Sequence, residues 1–473
     1  MSEYLHVEKP FLAQLAALGW TVIDQGCGMI PSAPEPSLRT SFREVHLPEV
    51  FRAAVRGLNL NADGTPWLTD RQLDDLRDQW LRQPARSLLE INEAVQALLF
   101  KAQVDVNEVT GEAHPVVKLI DFERPERNTF HAINQFRIDT PGCVKSCIIP
   151  DLVLFVNGIP LVVVEAKIGD ANTANPLHAA GEQLLRYRNG RRETLAAGLR
   201  EGEPRLFYSN ALLVRTCGEK AELGTISSDH GHFHAWKDIW PESRRTYAPP
   251  LGVEREQERL VQGLLAPDTL LDVLRTCTVF MDTAAGRRVK VVCRYQQYRA
   301  ARRIVQRLRT GRTPGERSGV VWHTQGSGKS LTMVFVARMV RAAADLADFK
   351  IVMVNDRIDL EDQLTATARL IGGRVNVIAS TDHLRDHLSS DASDVNMVMV
   401  HKFMERAETL PLVVEEALAS CGAPPSAETF GTVNVSERIL LMIDEAHRTQ
   451  SSDLGDNLFE AFPNATQIGR AHV

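Results

Sequence analysis

The sequence has no apolar run long enough to cross a bilayer, and no signal-peptide pattern behind Met1-Ser2-Glu3-Tyr4. It has no Cys-x-x-Cys pair. Its seven cysteines are scattered, and Cys143 and Cys147 are too loosely spaced to argue zinc without further ligands. The simplest reading is a reduced, cytoplasmic compartment with no membrane partner. There is no basic excess either: 54 Lys and Arg stand against 60 Asp and Glu, a net charge of −6. A nucleic-acid coat is excluded, and any DNA contact has to come from local patches. No internal repeat or low-complexity tract is found. What is present is 473 residues, 44% hydrophobic and 24% charged, the composition of a globular protein of two or three domains.

The chain is organised around Val320 to Ser330, Val-Val-Trp-His-Thr-Gln-Gly-Ser-Gly-Lys-Ser. An apolar run from Gly319 to Trp322 predicts a short buried strand. A loop comes next, then Lys329-Ser330 and an apolar-periodic run from Leu331 to Leu346. Strand, Gly-rich loop, Lys-Ser and helix is the order of a phosphate cradle. Loop N–H groups and the helix N-terminus face the anion. Thr324, Gln325, Gly326, Ser327 and Gly328 would form the loop. Lys329 would reach the outer phosphates, and the Ser330 hydroxyl would ligate Mg²⁺. The common pattern has a glycine where this chain has His323. A partner motif strengthens the reading. Ile439 to Ile443 is a continuous apolar run that ends in Asp444-Glu445-Ala446-His447. At the C-terminal end of such a strand, Asp444 is expected beside the phosphate loop, holding Mg²⁺. Glu445 would polarise the attacking water, and His447 would couple the nucleotide site to the chain beyond it.

Upstream, Phe11 to Leu18 reads as an amphipathic helix, and the segment to about residue 100 reads as mainly helical. From Val116 the texture turns to strands, at Phe130 to Ile138 and Cys147 to Lys167. Pro150-Asp151 opens one strand, Asn157-Gly158 signals a hairpin, and the return strand ends in Glu165-Ala166-Lys167. Two carboxylates and an amine joined by a hairpin suit metal-dependent phosphodiester cleavage. Asp151 and Glu165 would ligate Mg²⁺, and Lys167 would position or deprotonate water or stabilise developing charge. Side chains alternate with period two, so a two-residue loop would put Asp151 and Glu165 on opposite faces. A three-residue loop is therefore expected. Downstream, Gln183 and Tyr187 are four apart, on one helix face.

Two stretches read less sharply. His230-Gly231-His232-Phe233-His234 would put three rings on one strand face, with no carboxylate or thiol nearby in sequence; a surface or interdomain strand is expected. Gly286 to Arg317 holds eleven Lys or Arg and one acid, Glu316. Its helical core, Gln296 to Leu308, sets Arg299, Arg302, Arg303 and Arg307 near one side, a solvated face or a phosphate contact.

Pro-Asp, Glu-Ala-Lys and Gln-x-x-x-Tyr together resemble the RecB-like branch of the restriction-type nucleases, the PD-(D/E)xK fold. The resemblance implies that Gln183 and Tyr187 accompany the metal site and touch DNA. It also matches Glu8 to an upstream acid, and Asn134-Gln135-Phe136 to a family segment. Gly-Ser-Gly-Lys-Ser, Val-Asn-Asp-Arg, Val-His-Lys-Phe and Asp-Glu-Ala-His resemble the first RecA-like motor domain of superfamily-two helicases and translocases. There a Gln before the basic helix reads the adenine edge, and Gln297 is the position chosen.

In this order the two resemble the motor (R) subunit of type I restriction enzymes, a family in which a histidine at the place of His323 is typical. The fold expected is α/β: a restriction-endonuclease-like domain over 1–250, a connector over 251–285, and a RecA-like P-loop domain over 286–473. The implied function is ATP-driven translocation along double-stranded DNA with Mg²⁺-dependent cleavage, in complex with specificity and methyltransferase subunits. S-adenosylmethionine would be used only by the partner methyltransferase. A stand-alone helicase–nuclease and a non-catalytic DNA-tethering protein are the alternatives. The resemblance also calls for a Phe-Thr-Gly-Thr-Pro-like motif after Ile468-Gly469, where this chain reads Arg470-Ala471-His472-Val473. The last six residues are what a common sequencing adapter encodes in one frame. The expectation is a fragment that lacks a second motor domain and does not work as a motor alone.

Overall fold

The computed structural model describes residues 3–84, 86–169, 174–241, 243, 255–322, 328–355, 370–371, 375–378, 381–399, 431–444 and 453–471. The chain divides into two compact units, Met1–Tyr295 and Gln296–Val473.

The first unit begins with one wide π-helical turn, Tyr4–Glu8, that runs into α1 (Lys9–Ala17). The helix stops at Leu18, and Gly19 takes the left-handed conformation at φ +90°. Three further helices come after it: α2 (Pro48–Leu58), α3 (Asp70–Leu81) and α4 (Leu88–Lys101). Both α3 and α4 open with a capping box, Thr69 with Gln72 and Ser87 with Glu90, which satisfies orphan N–H groups at each start.

Seven strands form one mixed sheet. They are β1 (Thr21–Ile23), β2 (Phe130–Asn134), β3 (Leu152–Val156), β4 (Ile159–Ala166), β5 (Leu212–Thr216), β6 (Ala221–Gly224) and β7 (His234–Ala235), side by side in that order. β1 with β2 and β4 with β5 are parallel, and the other neighbours are antiparallel. Every residue of β3 and β4 is buried, as their unbroken apolar runs require. Helix α5 (Pro176–Tyr187) lies on β4 and β5. Its Leu184 and Tyr187 join Phe136, Val153, Phe155, Val163 and Leu213 in one core.

The stretch 251–285, expected to be a connector, contributes to this unit. It carries α6 (Glu256–Leu264), α7 (Pro267–Thr276) and β8 (Thr278–Asp282). Gln257 on α6 accepts from Thr216 Oγ1 at 2.7 Å and donates to Val7 O at 3.1 Å. β8 pairs with β9 (Arg288–Val292), and buried Lys290 donates to Asn92 Oδ1 at 2.9 Å and Asn210 O at 2.7 Å. Burial pushes that ammonium down to about 7.

In the second unit, α8 (Tyr295–Thr310) buries Gln297, Tyr298, Ala301, Ile304, Val305 and Leu308, and leaves Arg303 and Arg307 exposed. Among the described residues, six parallel strands make the sheet: β10 (Gly319–Trp322), β11 (Lys350–Asn355), β12 (Val375–Ile378), β13 (Val395–Met399), β14 (Ile439–Ile443) and β15 (Thr466–Ala471). Their spatial order is β10-β15-β14-β11-β13-β12. Helix α9 (Lys329–Ala342) succeeds β10 and buries Val334, Phe335, Ala337 and Val340. The strands β11, β13 and β14 are mainly apolar and almost fully buried, as expected of a parallel sheet covered on both faces; β10, expected to be buried as well, leaves Val320 and Trp322 exposed. Among the described residues no helix is long and apolar enough to cross a membrane.

Candidate active site and nucleotide site

In the first unit, Asp151, Glu165 and Lys167 come together at one end of the β3–β4 hairpin. Leu152 pairs with Val164, so Asp151 and Glu165, one step further out, face each other across the strands. Lys167 Nζ lies 2.8 Å from Glu165 Oε1 and 3.5 Å from Asp151 Oδ2, and donates to Ala166 O at 2.6 Å. Asp151 Oδ2 accepts the Ala166 N–H at 2.8 Å. Tyr187 donates its hydroxyl to Ile149 O at 3.0 Å. Gln183 sits one turn earlier on α5, half-buried.

The three side chains share a face by a route other than the expected three-residue loop. Val156 pairs with Ile159, so the loop is the two-residue turn Asn157-Gly158, with φ +51° and +75°. Two positive φ values are what a type I′ turn needs. The extra residue lies further along. Phe155 pairs with Pro160 but Leu154 pairs with Val162, leaving Leu161 as a bulge. Proline has no N–H to give the ladder, which breaks beside it. The freed Leu161 carbonyl accepts the Ala211 N–H at 2.7 Å. One bulged residue restores the parity that a two-residue loop removes.

Two more carboxylates close the site. Glu3 and Glu8 bracket the π turn, and Lys9 N–H bonds to Tyr4 O across it. Residues five apart lie nearer to one face in a π turn than in an α-helix, which would splay them further. Ligand oxygens of Glu3, Glu8 and Asp151 lie within 4.8 Å of one another. Glu8 accepts from Gln135 Nε2 at 3.2 Å, and Gln135 N–H bonds to Asp151 O at 2.9 Å. Gln135 holds this position in the left-handed region, φ +47°, where a non-glycine residue is uncommon. The segment resembling the family, Asn134-Gln135-Phe136, is therefore the brace beneath the acids. Glu8 is reached by structure as well as by resemblance. Glu3 was not legible, because the π turn that brings it round toward Glu8 leaves no periodicity signal.

Electrostatics favour a cation here. Burial first, then Asp151, pushes Glu165 well above the usual carboxylate range. Burial raises Asp151, with Lys167 and the Ala166 N–H opposing. Burial and then Asp151 push Glu8 up to about 7. Burial lowers the Lys167 ammonium, but Glu165 and Asp151 outweigh it and its pKa rises. Burial, Glu165 and Asp151 hold the Tyr187 phenol protonated well above its ordinary value. Glu165 Oε2 is buried and has no hydrogen-bond partner. An orphaned carboxylate oxygen beside Asp151 fits a divalent cation, which takes oxygen ligands.

The histidine tract does not form the expected strand. His230–His232 makes a 3-10 turn, and only His234 enters β7. His230 does meet a carboxylate, Glu182 of α5, at 2.8 Å, and stacks on His178 with ring centroids 4.0 Å apart. Gly181 permits this approach, since a Cβ there would stand 2.7 Å from the His230 ring. Arg215 Nη1 meets His230 Nδ1 at 3.2 Å. Arginine can only donate, so Nδ1 accepts and Nε2–H donates to Glu182. The stacked rings are 7° from parallel, so their lone pairs do not converge. Arg215, His230 and Glu182 form a chain of hydrogen bonds on which His178 stacks, with ligand atoms of His178, Glu182 and His230 within 4.8 Å of one another.

In the second unit, Gly328, at φ +74°, is the residue before α9, and Lys329 opens the helix. Ser330 is exposed. Gln297 Nε2 donates to Gly328 O at 2.8 Å, which ties the basic helix to the start of α9. Asp444 comes directly after β14, and its N–H extends the ladder to Val354 O at 2.9 Å. Asp444 does not lie on the strand next to β10. β15 runs between them, with Gly469 paired to both Val320 and Ile443. Two strand spacings, about 10 Å, therefore separate β10 from β14. Thr324, Gln325, Gly326, Ser327, Glu445 and His447 lie outside the described residues, as does the Lys329 side chain.

The comparisons divide the chain as the structure does. Residues 1–230 match the family of type I restriction enzyme R protein N termini. Residues 296–471 match the SWI2/SNF2 ATPase family, starting at the boundary between the two units. The type I restriction enzyme HindI endonuclease subunit of Haemophilus influenzae is 29% identical over 98% of this chain and 42% of its own length. The putative MjaIXP endonuclease subunit of Methanocaldococcus jannaschii is 23% identical over 98% of this chain and 42% of its own. The SauCOLORF180P endonuclease subunit of Staphylococcus aureus is 23% identical over 76% of this chain and 33% of its own. The chain thus spans about two fifths of the length of the first two relatives. Family matches in both units and relatives aligned over 98% of this chain show that it is similar to the endonuclease (R) subunits of type I restriction enzymes.

Proposed function

We propose that this chain is part of a type I restriction R subunit that couples ATP hydrolysis to DNA translocation and cuts double-stranded DNA. The carrying observation is the pair of buried carboxylates Asp151 and Glu165 with Lys167 beside them and an unpartnered Glu165 oxygen, in one chain with a SWI2/SNF2 ATPase match. The first unit is read as a RecB-like nuclease and the second as a RecA-like motor domain.

Asp151 and Glu165 would hold Mg²⁺, which supplies an activated water and neutralises phosphate charge when bound. Lys167, fixed by both carboxylates, keeps its proton and offers positive charge to the attacked phosphodiester. Glu8, held by Gln135, adds a ligand or takes up a proton near neutrality. Tyr187 stays a hydrogen-bond donor, and Gln183, one turn away, faces DNA. In the motor, the loop Thr324 to Gly328 with Lys329 would cradle the phosphates of ATP. Ser330 and Asp444 would ligate its Mg²⁺, Gln297 would read adenine, Glu445 would orient water, and His447 would couple turnover to DNA. Site recognition and S-adenosylmethionine chemistry would belong to specificity and methyltransferase partners.

Plasmid cleavage and ATPase assays on a complex assembled with those partners and a complete R subunit test this reading. Glu165→Ala is expected to abolish cleavage and spare DNA-stimulated ATPase. Lys329→Ala is expected to abolish ATPase and leave the nuclease unit folded. Normal cleavage by Glu165→Ala, or retained ATPase in Lys329→Ala, would refute the corresponding assignment.

A further inference from the structure

Lys167 and Ile168 stand where β4 leaves the sheet. The Lys167 N–H makes the last rung, to Thr216 O at 2.9 Å. The next N–H, of Ile168, has left the ladder and must find an acceptor elsewhere. It finds Glu3 Oε2 at 3.1 Å. The other oxygen of that carboxylate, Oε1, lies 3.5 Å from Lys167 Nζ. One carboxylate therefore spans an ammonium and a backbone N–H with its two oxygens.

We propose that Lys167 Nζ and the Ile168 N–H form the seat of a DNA phosphate at the nuclease site, and that Glu3 fills this seat while DNA is absent. The inference rests on the nuclease reading above and adds to it the position of the substrate phosphate and its internal competitor. Three observations support it. An ammonium beside a backbone N–H outside the ladder binds carboxylate and phosphate oxygens alike. The seat is at the mouth of the site: the Glu3 side chain keeps 29% of its exposure, against 10% for Asp151 and 1% for Glu165. At 3.5 Å the Glu3 contact is also looser than those to Glu165 at 2.8 Å and Ala166 O at 2.6 Å, which hold the ammonium in place when Glu3 leaves.

Withdrawal follows from geometry. Glu3, Asp151 and Glu165 share the Lys167 ammonium, and a phosphate oxygen that takes the place of Glu3 meets the same ammonium and the same N–H. Glu3 is the member that can leave, because its side chain is partly exposed and the other three carboxylates, of Glu8, Asp151 and Glu165, are buried. The segment that supplies Glu8 to the site thus also carries a stand-in for the substrate.

The test uses the full 473-residue chain, stripped of metal, with a short fluorescent duplex. Anisotropy titrations in Ca²⁺ and in EDTA isolate the metal-dependent part of duplex binding, and Mn²⁺ uptake is measured by electron paramagnetic resonance. Glu3→Gln and Glu3→Ala are expected to tighten the Ca²⁺-dependent binding about fourfold, as for removal of one partly exposed like charge. Their Mn²⁺ affinity is expected to stay within about twofold of the unaltered chain. Unchanged or weaker duplex binding in both variants would overturn the seat. A loss of Mn²⁺ affinity in both would overturn it too, making Glu3 a metal ligand. Failure of the unaltered chain to take up Mn²⁺ would instead overturn the nuclease reading, and the seat with it.

Discussion

Glu8→Gln should stabilise the metal-free first unit above neutral pH and do little at pH 4. Glu8 is 2% exposed, and burial and Asp151 carry its carboxyl from 4.5 to about 7. A raised folded-state pKa means that the folded chain binds more protons than the unfolded chain between those values. Stability from this group is full below pH 4.5 and is lost as pH rises through 7. At about 1.4 kcal/mol per pH unit the full loss is on the order of 3 kcal/mol. Water reaching the mouth of the site reduces this to about 2 kcal/mol. Glutamine keeps an oxygen for the Gln135 amide, so the brace survives while the titration disappears. Hydrogen exchange of the β3–β4 amides, measured in EDTA from pH 4.5 to 8.5 and corrected for intrinsic rates, reads the opening free energy. The unaltered chain should lose stability with rising pH, and Glu8→Gln should lose about 2 kcal/mol less. Equal slopes in the two proteins would refute the assignment of Glu8 as a buried acid titrating near neutrality.

Two further outcomes come from the geometry. Gly158→Ala should destabilise the first unit by about 3 kcal/mol in the same exchange measurement, combining left-handed strain with overpacking; φ is +75°, and a Cβ would stand 2.6 Å from Leu47 O. A loss below about 1 kcal/mol would mean that the turn is not pinned against α2. In the second unit, a Cβ at Gly328 would stand 2.6 Å from Gln297 Nε2, so Gly328→Ala and Gln297→Ala break the same contact. Each should weaken ATP binding about tenfold and the double variant little more; losses that simply multiply would refute the coupling.

Much of the architecture was legible because it rests on local signals. Continuous apolar runs mark β11, β13 and β14, since a strand buried on both faces has no polar side; the run at β10 marks a strand but not its burial, for Val320 and Trp322 are exposed. The capping boxes at Thr69 and Ser87 are local signals too, although the segment to about residue 100 was read only as mainly helical. The order of strands was not legible. Nothing local in Thr466 to Ala471 says that this segment inserts between β10 and β14, and that insertion separates Asp444 from the phosphate-loop strand. The basic run from Gly286 to Arg317 also reads as one feature in sequence. It is divided at Tyr295: Lys290 is buried in the first unit, while Arg303 and Arg307 are exposed in the second.

The nuclease site shows where parity counting can reach the correct face by an incorrect path. Asp151, Glu165 and Lys167 share a face only with one extra residue between strands, and the loop is the obvious place for it. Asn157 and Gly158 fill a two-residue turn instead. Asn157 is buried, its side chain held by Leu119 O at 2.9 Å and Asn128 Oδ1 at 2.8 Å, so the loop has no room to lengthen. The extra residue is displaced to Leu161, and Pro160 carries the signal. A proline within a strand otherwise read as central marks an interrupted ladder, and an interrupted antiparallel ladder is where a bulge belongs. Parity in hairpin nuclease sites therefore depends on prolines in the strands as well as on residues in the turn. By the same reasoning the π turn at Tyr4–Glu8 and the bulge at Leu161 perform one task from opposite sides. Each adds a residue to a regular element, and each brings carboxylates nearer to one face than regular geometry would.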